Sequence, residues 1–341
     1  MRVLVTGHTG FKGAWLSMWL AQQGHSVFGL ALAPESGSLF EQADVGSMLQ
    51  VDGRGDVRDA SSVLQAVRAA QPDVVIHLAA QSLVRPSYDD PRWTFETNVL
   101  GSLSVLEAAS AVESVQAALI VTTDKVYRNV GRLGGYAEND ALGGHDPYSA
   151  SKAMADILTS SWAASFPGKN LAIARAGNVI GGGDVSVDRL MPDVLRALRS
   201  DSSVHLRYPS AVRPWQHVLD CLAGYLLLTD ALLAGEGHGA WNFGPEPAAF
   251  RTVQETAEFA AQAWGSGQTW VADEGEHPHE AELLTLDASR ARSELGWRDR
   301  LDYQAAVAWT VDWEKRVHEG ESAREVSLEQ IARFEGLGRY L

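Results

Sequence analysis

Tyr148 and Lys152 stand four residues apart in Tyr148-Ser149-Ala150-Ser151-Lys152, immediately after Asp146-Pro147. On a helix that spacing sets both side chains on one face. A lysine charge favours a phenolate and draws a phenol down from its ordinary pKa of about 10. Such a phenolate can take the proton of an alcohol as hydride leaves the carbon. A second group of reactive side chains, Thr123-Asp124-Lys125, ends the apolar run Ala118 to Thr122. Thr123 can hydrogen-bond a reacting hydroxyl, while Asp124 and Lys125 offer an acid beside a base or cation. A turn with a solvated ion pair would also account for that segment taken alone.

Hydride needs an acceptor, and the N-terminus supplies a place for one. The run Val3-Leu4-Val5 leads into Thr6-Gly7-His8-Thr9-Gly10-Phe11-Lys12-Gly13 and then an amphipathic pattern. Gly7, Gly10 and Gly13 suit a tight turn, close backbone approach to a pyrophosphate, and close packing of helix on strand. The helix N-terminus then presents free N–H groups and a positive dipole end. His8, Phe11 and Lys12 belong to the same turn. Asp56, beside Val57, is placed to accept from an adenine amino group. Leu78-Ala79-Ala80 lets backbone pass along a cofactor, and Asn98 satisfies either a kink or a water. The second apolar run ends at Ala31-Leu32-Ala33-Pro34, lacking both the usual ribose-binding acid and a cation for a 2′-phosphate. NAD is favoured over NADP. Lys12 either reaches that ribose region or is a solvated helix residue.

These groups demand a framework of alternating elements. Val3 to Val5, Val27 to Leu30, Val74 to His77, Ala118 to Thr122 and Leu171 to Ala174 read as buried strands. Helical patterns cover 11–23, 59–70, 92–112 and 148–165. Apolar strands alternating with helices predict an α/β fold, a Rossmann-type doubly wound parallel sheet covered on both faces. Beyond Gly181-Gly182-Gly183 the pattern loosens. A helix over 216–233 returns to the main body, and Tyr303 to Val317 reads as a surface helix. Residues 1–177 are therefore expected to form the NAD-binding domain and to receive 216–245. A smaller C-terminal substrate-binding domain takes 178–215 and 246–341.

Composition bounds the partners. The chain has 341 residues, 45% hydrophobic and 21% charged, with a net charge of −15. That charge argues against a nucleic-acid partner. Arg85, Lys125, Arg175, Arg189, Arg207 and Arg213 nevertheless cluster in the middle of the chain, where a local positive field can hold phosphate. The single cysteine, Cys221, lies in an apolar run and reads as a core thiol, which excludes an internal disulfide and a cysteine-rich metal site. No apolar stretch approaches the roughly 20 residues of a membrane span, and Arg2 to Val5 enters a strand with no leader pattern. The expectation is a cytoplasmic protein with no membrane partner and no metal.

Further stretches join these motifs: Leu142-Gly143-Gly144-His145-Asp146-Pro147-Tyr148, Arg175-Ala176-Gly177-Asn178, Gly181-Gly182-Gly183-Asp184, Arg213-Pro214-Trp215-Gln216-His217 and Ala240-Trp241-Asn242-Phe243-Gly244. Together they resemble the extended short-chain dehydrogenase/reductase family, in particular its 4,6-dehydratases acting on CDP-glucose. The relatives acting on dTDP-glucose are more distant, with Thr-Asp-Glu where this chain has Thr123-Asp124-Lys125. The resemblance implies oxidation at the sugar C4 with Tyr148 as base, loss of water across C5 and C6, and return of hydride to C6. Asp124 would protonate the leaving hydroxyl, which requires a raised pKa. Lys125 would be either the C5 base or a cation stabilising the enolate. Asn178, Arg189 and Arg213 would contact the substrate pyrophosphate, with Arg85 and Arg207 as phosphate or nucleobase neighbours. Trp215 either stacks near the base or packs the core. Asn242 and His279-Glu280 are further substrate candidates, equally explained by a strand-end turn and a loop ion pair. Long helices pairing across a two-fold axis imply a homodimer or homotetramer. A nucleotide-sugar 4-epimerase or dehydrogenase on this fold is the alternative; it needs Tyr148 but not the acid and base at 124 and 125.

Overall fold

The computed structural model describes residues 1–338 except 133, 268–269, 274 and 276–283. Seven parallel strands form the central sheet. In chain order the strands of the molecule are β1 Arg2–Thr6, β2 Ser26–Ala31, β3 Val51–Arg54, β4 Val74–His77, β5 Ala117–Val121, β6 Asn170–Ala176, β7 Asn178–Ile180, β8 Val204–Leu206, β9 Val212–His217, β10 Gly239–Phe243, β11 Phe250–Thr252 and β12 Trp270–Ala272. The large sheet runs β10-β6-β5-β4-β1-β2-β3. The chain order reverses between β1 and β4, so their C-terminal ends open a crevice of the kind where ligands bind in doubly wound sheets.

Alternation within the apolar strands explains why both faces of the sheet are covered. Val3, Val5, Val74, Ile76, Leu119 and Val121 join one core with Trp15, Leu16 and Leu20 of the helix Phe11–Gln22 and Leu222 and Tyr225 of the helix Val218–Leu233. Leu4, Val75, Ala118 and Ile120 point the other way, onto Val63 and Val67 of the helix Ala60–Ala70 and Val105 and Leu106 of the helix Gly101–Ala111. Burying both faces fixes register, because a one-residue slip would turn each strand over.

Several elements depart from the sequence expectation. The pattern over 92–112 is broken into Pro91–Phe95, a π-helical turn at Glu96–Leu100 and Gly101–Ala111. Gln216 and His217 end β9, and the helix begins only at Val218, with the His217 ring nitrogen accepting the Leu219 N–H at 3.2 Å. The segment from Val218 to Phe243 does join the main sheet, since β10 pairs in parallel with β6. The last helix, Ala323–Gly336, packs on the first: Trp19 stacks edge-on with Phe334 at 5.6 Å and its Nε1 donates to Glu335 at 2.8 Å. The three-stranded sheet β11-β9-β7 and the pair β12-β8 lie beyond β6 in the chain and supply the second wall of the crevice. No helix among the described residues is long and apolar enough to cross a membrane.

Candidate active site

The crevice is one continuous cleft of about 1290 Å³, lined from both parts of the chain. Its N-terminal wall is the glycine turn. Gly7 has φ +74°, and a Cβ there would lie 2.6 Å from the Ala79 backbone nitrogen. A Cβ on Gly13 would fall 2.1 Å from the Gly7 carbonyl oxygen, so the helix can press onto the turn only with glycine there. Among the described residues, neither a capping side chain nor an acid in the first turn satisfies the N-terminus of Phe11–Gln22. Its free N–H groups and dipole are left for an anion. Leu78, Ala79 and Ala80 line the floor, and Asp56 and Val57 the far end. The Arg58 hydrogen bonds, at 2.6 and 2.9 Å, hold the Asp56 carboxyl below its ordinary pKa. These features fit the pyrophosphate and adenosine of a dinucleotide.

Two residues of that group turn elsewhere. The His8 ring is fully buried away from the cleft, with Nε2 2.7 Å from Asp52 Oδ1 and the ring edge-on to Phe40. It packs over Gly29, where a Cβ would come within 2.5 Å of it. Burial lowers the His8 pKa against the opposing pull of Asp52. Asn98 sits in the π turn behind the wall, where its Oδ1 accepts from the Gln81 N–H at 2.9 Å and its Nδ2 donates to Gln81 O and Ser151 Oγ. It satisfies a kink and ties the end of β4 to the helix bearing Tyr148.

That helix, Pro147–Ser165, is capped by Asp146, which accepts the Ser149 N–H at 2.9 Å, with Pro147 at its first position. Both features start the helix at the reactive tyrosine. Tyr148 and Lys152 are buried and line the cleft together with Thr123, Asp124 and Lys125. Lys152 Nζ donates to the Val121 carbonyl at 2.9 Å. Burial pushes the Tyr148 phenol up to about 12, against the Thr123 hydrogen bond and the Arg189 charge. Burial and the nearby Lys12 ammonium push Lys152 down to about 7. At the phenol of the ligand-free protein, burial outweighs the neighbouring groups that favour the phenolate.

Asp124 is 1% exposed. Its Oδ1 accepts from Thr123 at 2.9 Å and lies 3.8 Å from Lys125 Nζ, while no side chain or backbone group among the described residues bonds Oδ2. Gly177 leaves room for that oxygen, since a Cβ there would lie 3.1 Å away. Asp124 lines the cleft, and a buried carboxyl oxygen without a partner calls for a functional explanation.

The arginines divide. Arg85 and Arg207 both reach Asp188 Oδ1, at 3.3 and 2.9 Å, and Arg189 reaches Asp184 at 3.2 Å and Ser82 at 3.3 Å. Arg213 and Asn178 also line the cleft, as does Trp215, which is 6% exposed. Asp184, Asp188 and Ser82 were not expected from sequence. The only sign of the two acids is their place directly after Gly183 and before Arg189. Arg175 and Asn242 do not line the cleft. Arg175 is a buried ion pair with Asp156, at 2.8 and 2.7 Å, and donates to the Tyr127 hydroxyl at 2.7 Å. Asn242 accepts from that same hydroxyl at 2.7 Å and donates to Tyr136 O and Asp287 O. Their job is to hold Tyr127, a residue that itself lines the cleft. His279 and Glu280 lie outside the described residues.

The sequence pattern of the family described as GDP-mannose 4,6 dehydratase matches residues 4–310. The chain belongs to that family. It is one of the extended short-chain dehydrogenases/reductases, and its sheet order and Tyr148/Lys152 pair accord with that membership. This family member is 42% identical over 345 residues to the CDP-glucose 4,6-dehydratase of Salmonella typhimurium, covering 96% of this chain and 95% of that one. In structure it is similar to the dTDP-glucose 4,6-dehydratase of Streptomyces venezuelae with NAD bound, at 26% identity and TM-score 0.79, over 99% of this chain and 100% of that one. It is also similar to the UDP-glucose 4-epimerase of Thermus thermophilus in complex with NAD, at 27% identity and TM-score 0.80, over 94% and 99% of the two chains.

Proposed function

We propose that this family member is an NAD-dependent CDP-glucose 4,6-dehydratase, converting CDP-D-glucose to CDP-4-dehydro-6-deoxy-D-glucose and water. One observation carries the reading beyond simple hydride transfer: the buried, partnerless Asp124 oxygen sits with Lys125 in the same cleft as Tyr148. Oxidation and reduction at C4 alone, as in an epimerase, need no such acid and base. The cytidine nucleotide is favoured by the 42% relative named for it. The Gly7 turn and the uncapped helix Phe11–Gln22 would hold the NAD pyrophosphate, with Leu78 to Ala80 beneath it and Asp56 and Val57 at the adenosine end.

Bound NAD supplies the hydride acceptor for C4 and the donor for C6. Tyr148 receives the C4 hydroxyl proton, with Thr123 bonded to the same hydroxyl as an orienting group. The C4 ketone acidifies the C5 proton, which Lys125 accepts as base or whose departure it eases as a cation beside the enolate. Asp124 delivers a proton to the C6 oxygen, water leaves, and as hydride returns to C6 the C5 carbon takes back a proton from protonated Lys125 or from solvent. Arg189 and Arg213, with Asn178, hold the substrate pyrophosphate, because a planar guanidinium matches phosphate oxygens. Arg85 and Arg207 lie at the same wall, released from Asp188 by the incoming anion.

The enzyme works in the cytoplasm as a homodimer or homotetramer on this reading. Exposed Leu100, Met154 and Ile157, on the 91–111 and 147–165 helical segments, support a self-association face. The test incubates the purified protein with NAD and a panel of CDP-, dTDP-, GDP- and UDP-hexoses and reads product masses. Loss of one water from CDP-glucose is expected; an isomer of unchanged mass would favour the epimerase.

A further inference from the structure

The reactive tyrosine sits where a helix is least able to hold a residue. In Pro147–Ser165 it is the second residue of the first turn, whose N–H groups have no carbonyl of their own helix to reach. Pro147 carries no N–H, and the Ser149 N–H goes to the Asp146 carboxylate at 2.9 Å. The Tyr148 N–H leaves the helix and donates to Ser87 Oγ at 3.2 Å. Ser87 is fully buried on the short helix Val84–Asp89, 61 residues earlier in the chain. Its own proton is committed to the Val84 carbonyl at 2.5 Å, which leaves the oxygen lone pairs for the tyrosine.

The Tyr148 carbonyl is gripped as well. It accepts from Ser151 Oγ at 2.7 Å, and Ser151 Oγ in turn accepts from Asn98 Nδ2 at 2.8 Å. Asn98 is locked to the Gln81 backbone through both of its amide atoms. The two peptide groups that flank the tyrosine are therefore tied to the segment 81–87 after β4, one through Ser87 and one through Asn98. The same segment reaches the opposite wall, where Ser82 accepts from Arg189 and Arg85 pairs with Asp188, each at 3.3 Å. Ser87 is the more direct anchor, a single hydrogen bond from the tyrosine's own backbone, and it does not itself line the cleft.

We propose that Ser87 is a positioning residue for the proton transfer at C4, acting on Tyr148 through its backbone N–H. Helix ends fray, and a phenol carried on a first turn moves with that turn. Bonding the N–H from outside the helix keeps the phenol in one place in the cleft. A displacement of about 1 Å at a reacting group costs about 10²-fold in rate. The inference rests on the dehydratase reading only for the substrate used to measure it.

The test combines kinetics with exchange of one amide. In protein labelled with 15N-tyrosine, the Tyr148 amide, assigned with Tyr148→Phe, should exchange with solvent faster in Ser87→Ala than in the wild type. With NAD and CDP-glucose, kcat of Ser87→Ala should fall roughly 10–100-fold. KM for the sugar nucleotide and NAD affinity should stay within about twofold, because the lost interaction is neither with substrate nor with cofactor. Ser87→Thr, which keeps a hydroxyl, should retain most of kcat. Ser87→Cys carries the same test should the alanine variant fold poorly, since sulfur is a weak acceptor. Unchanged exchange of the Tyr148 amide overturns the proposal, as does a kcat within about twofold of the wild type. A parallel loss of NAD and sugar-nucleotide affinity also overturns it, making Ser87 a general support of the cleft. A wild type that dehydrates no sugar nucleotide would refute the dehydratase reading, with amide exchange and hydride transfer to NAD from any sugar nucleotide it oxidises still deciding the role of Ser87.

Discussion

Asp124→Asn separates oxidation from dehydration. The amide oxygen can still accept the Thr123 hydroxyl that now bonds Oδ1 at 2.9 Å, and the side chain keeps its volume. The lost ion pair with Lys125 spans 3.8 Å to a lysine side chain that is 31% exposed. Such a pair contributes at most about 1 kcal/mol, so the fold survives. The chemical loss is larger. An asparagine cannot protonate the C6 oxygen, and the 2% exposure of the Asp124 side chain leaves bulk water little access to replace it. Positioned general acids contribute about 10²–10⁴-fold, and turnover should fall by roughly 10³-fold. Tyr148, Lys152 and Thr123 are all retained, so oxidation at C4 proceeds. A single-turnover experiment with NAD and CDP-glucose, followed by nicotinamide absorbance, should show reduced cofactor appearing quickly and persisting. The wild type should show little accumulation. Near-normal turnover in this variant, or loss of cofactor reduction, would refute the role of Asp124 as the dehydration acid.

Other perturbations follow from the same geometry. Gly7→Ala forces φ +74° on a residue with a Cβ and drives that Cβ into Ala79; strain of roughly 1–3 kcal/mol should lower the thermal midpoint and weaken NAD binding in calorimetry. Arg189→Met removes a charge-assisted contact worth about 1.5–3 kcal/mol, raising KM for the nucleotide sugar roughly 10–100-fold with a smaller change in kcat. The ligand-free protein should gain stability as pH rises from about 7 to 10, because folded Lys152 releases its proton near 7 while the unfolded lysine holds one to about 10.4. Lys152→Met should flatten that rise in urea titrations. His77 and His217, both pushed down to about 3 by burial, should make stability fall as pH drops from about 6.5 toward 3.

What was legible in the sequence is what local spacing controls. The glycine turn, the Tyr148/Lys152 pair and the Thr123-Asp124-Lys125 strand end each lie within a few residues, and the apolar strands beneath them follow a period that burial on both faces enforces. Side chains whose direction depends on distant partners were not legible. His8 turns toward Asp52, 44 residues away, and Asn242 toward Tyr127, 115 residues away. Arg175 looks like a phosphate ligand by type, yet a helix residue, Asp156, claims it in the core. The π turn around Asn98 hides inside a helical period because one inserted residue scarcely disturbs apolar spacing. Lys12 is the extreme case: the Tyr225 ring that its ammonium approaches at 5.8 Å comes from a helix more than 200 residues later.

The account depends most on whether water leaves across C5 and C6 of a cytidine sugar at this cleft. Turnover of CDP-glucose with NAD in D2O, read by mass spectrometry and proton NMR, tests that directly. A 4-keto-6-deoxy product carrying one solvent deuterium at C5, with no net change in cofactor redox state, is the predicted result. A product that keeps its C6 hydroxyl, or a C5 position still fully protiated, would contradict it.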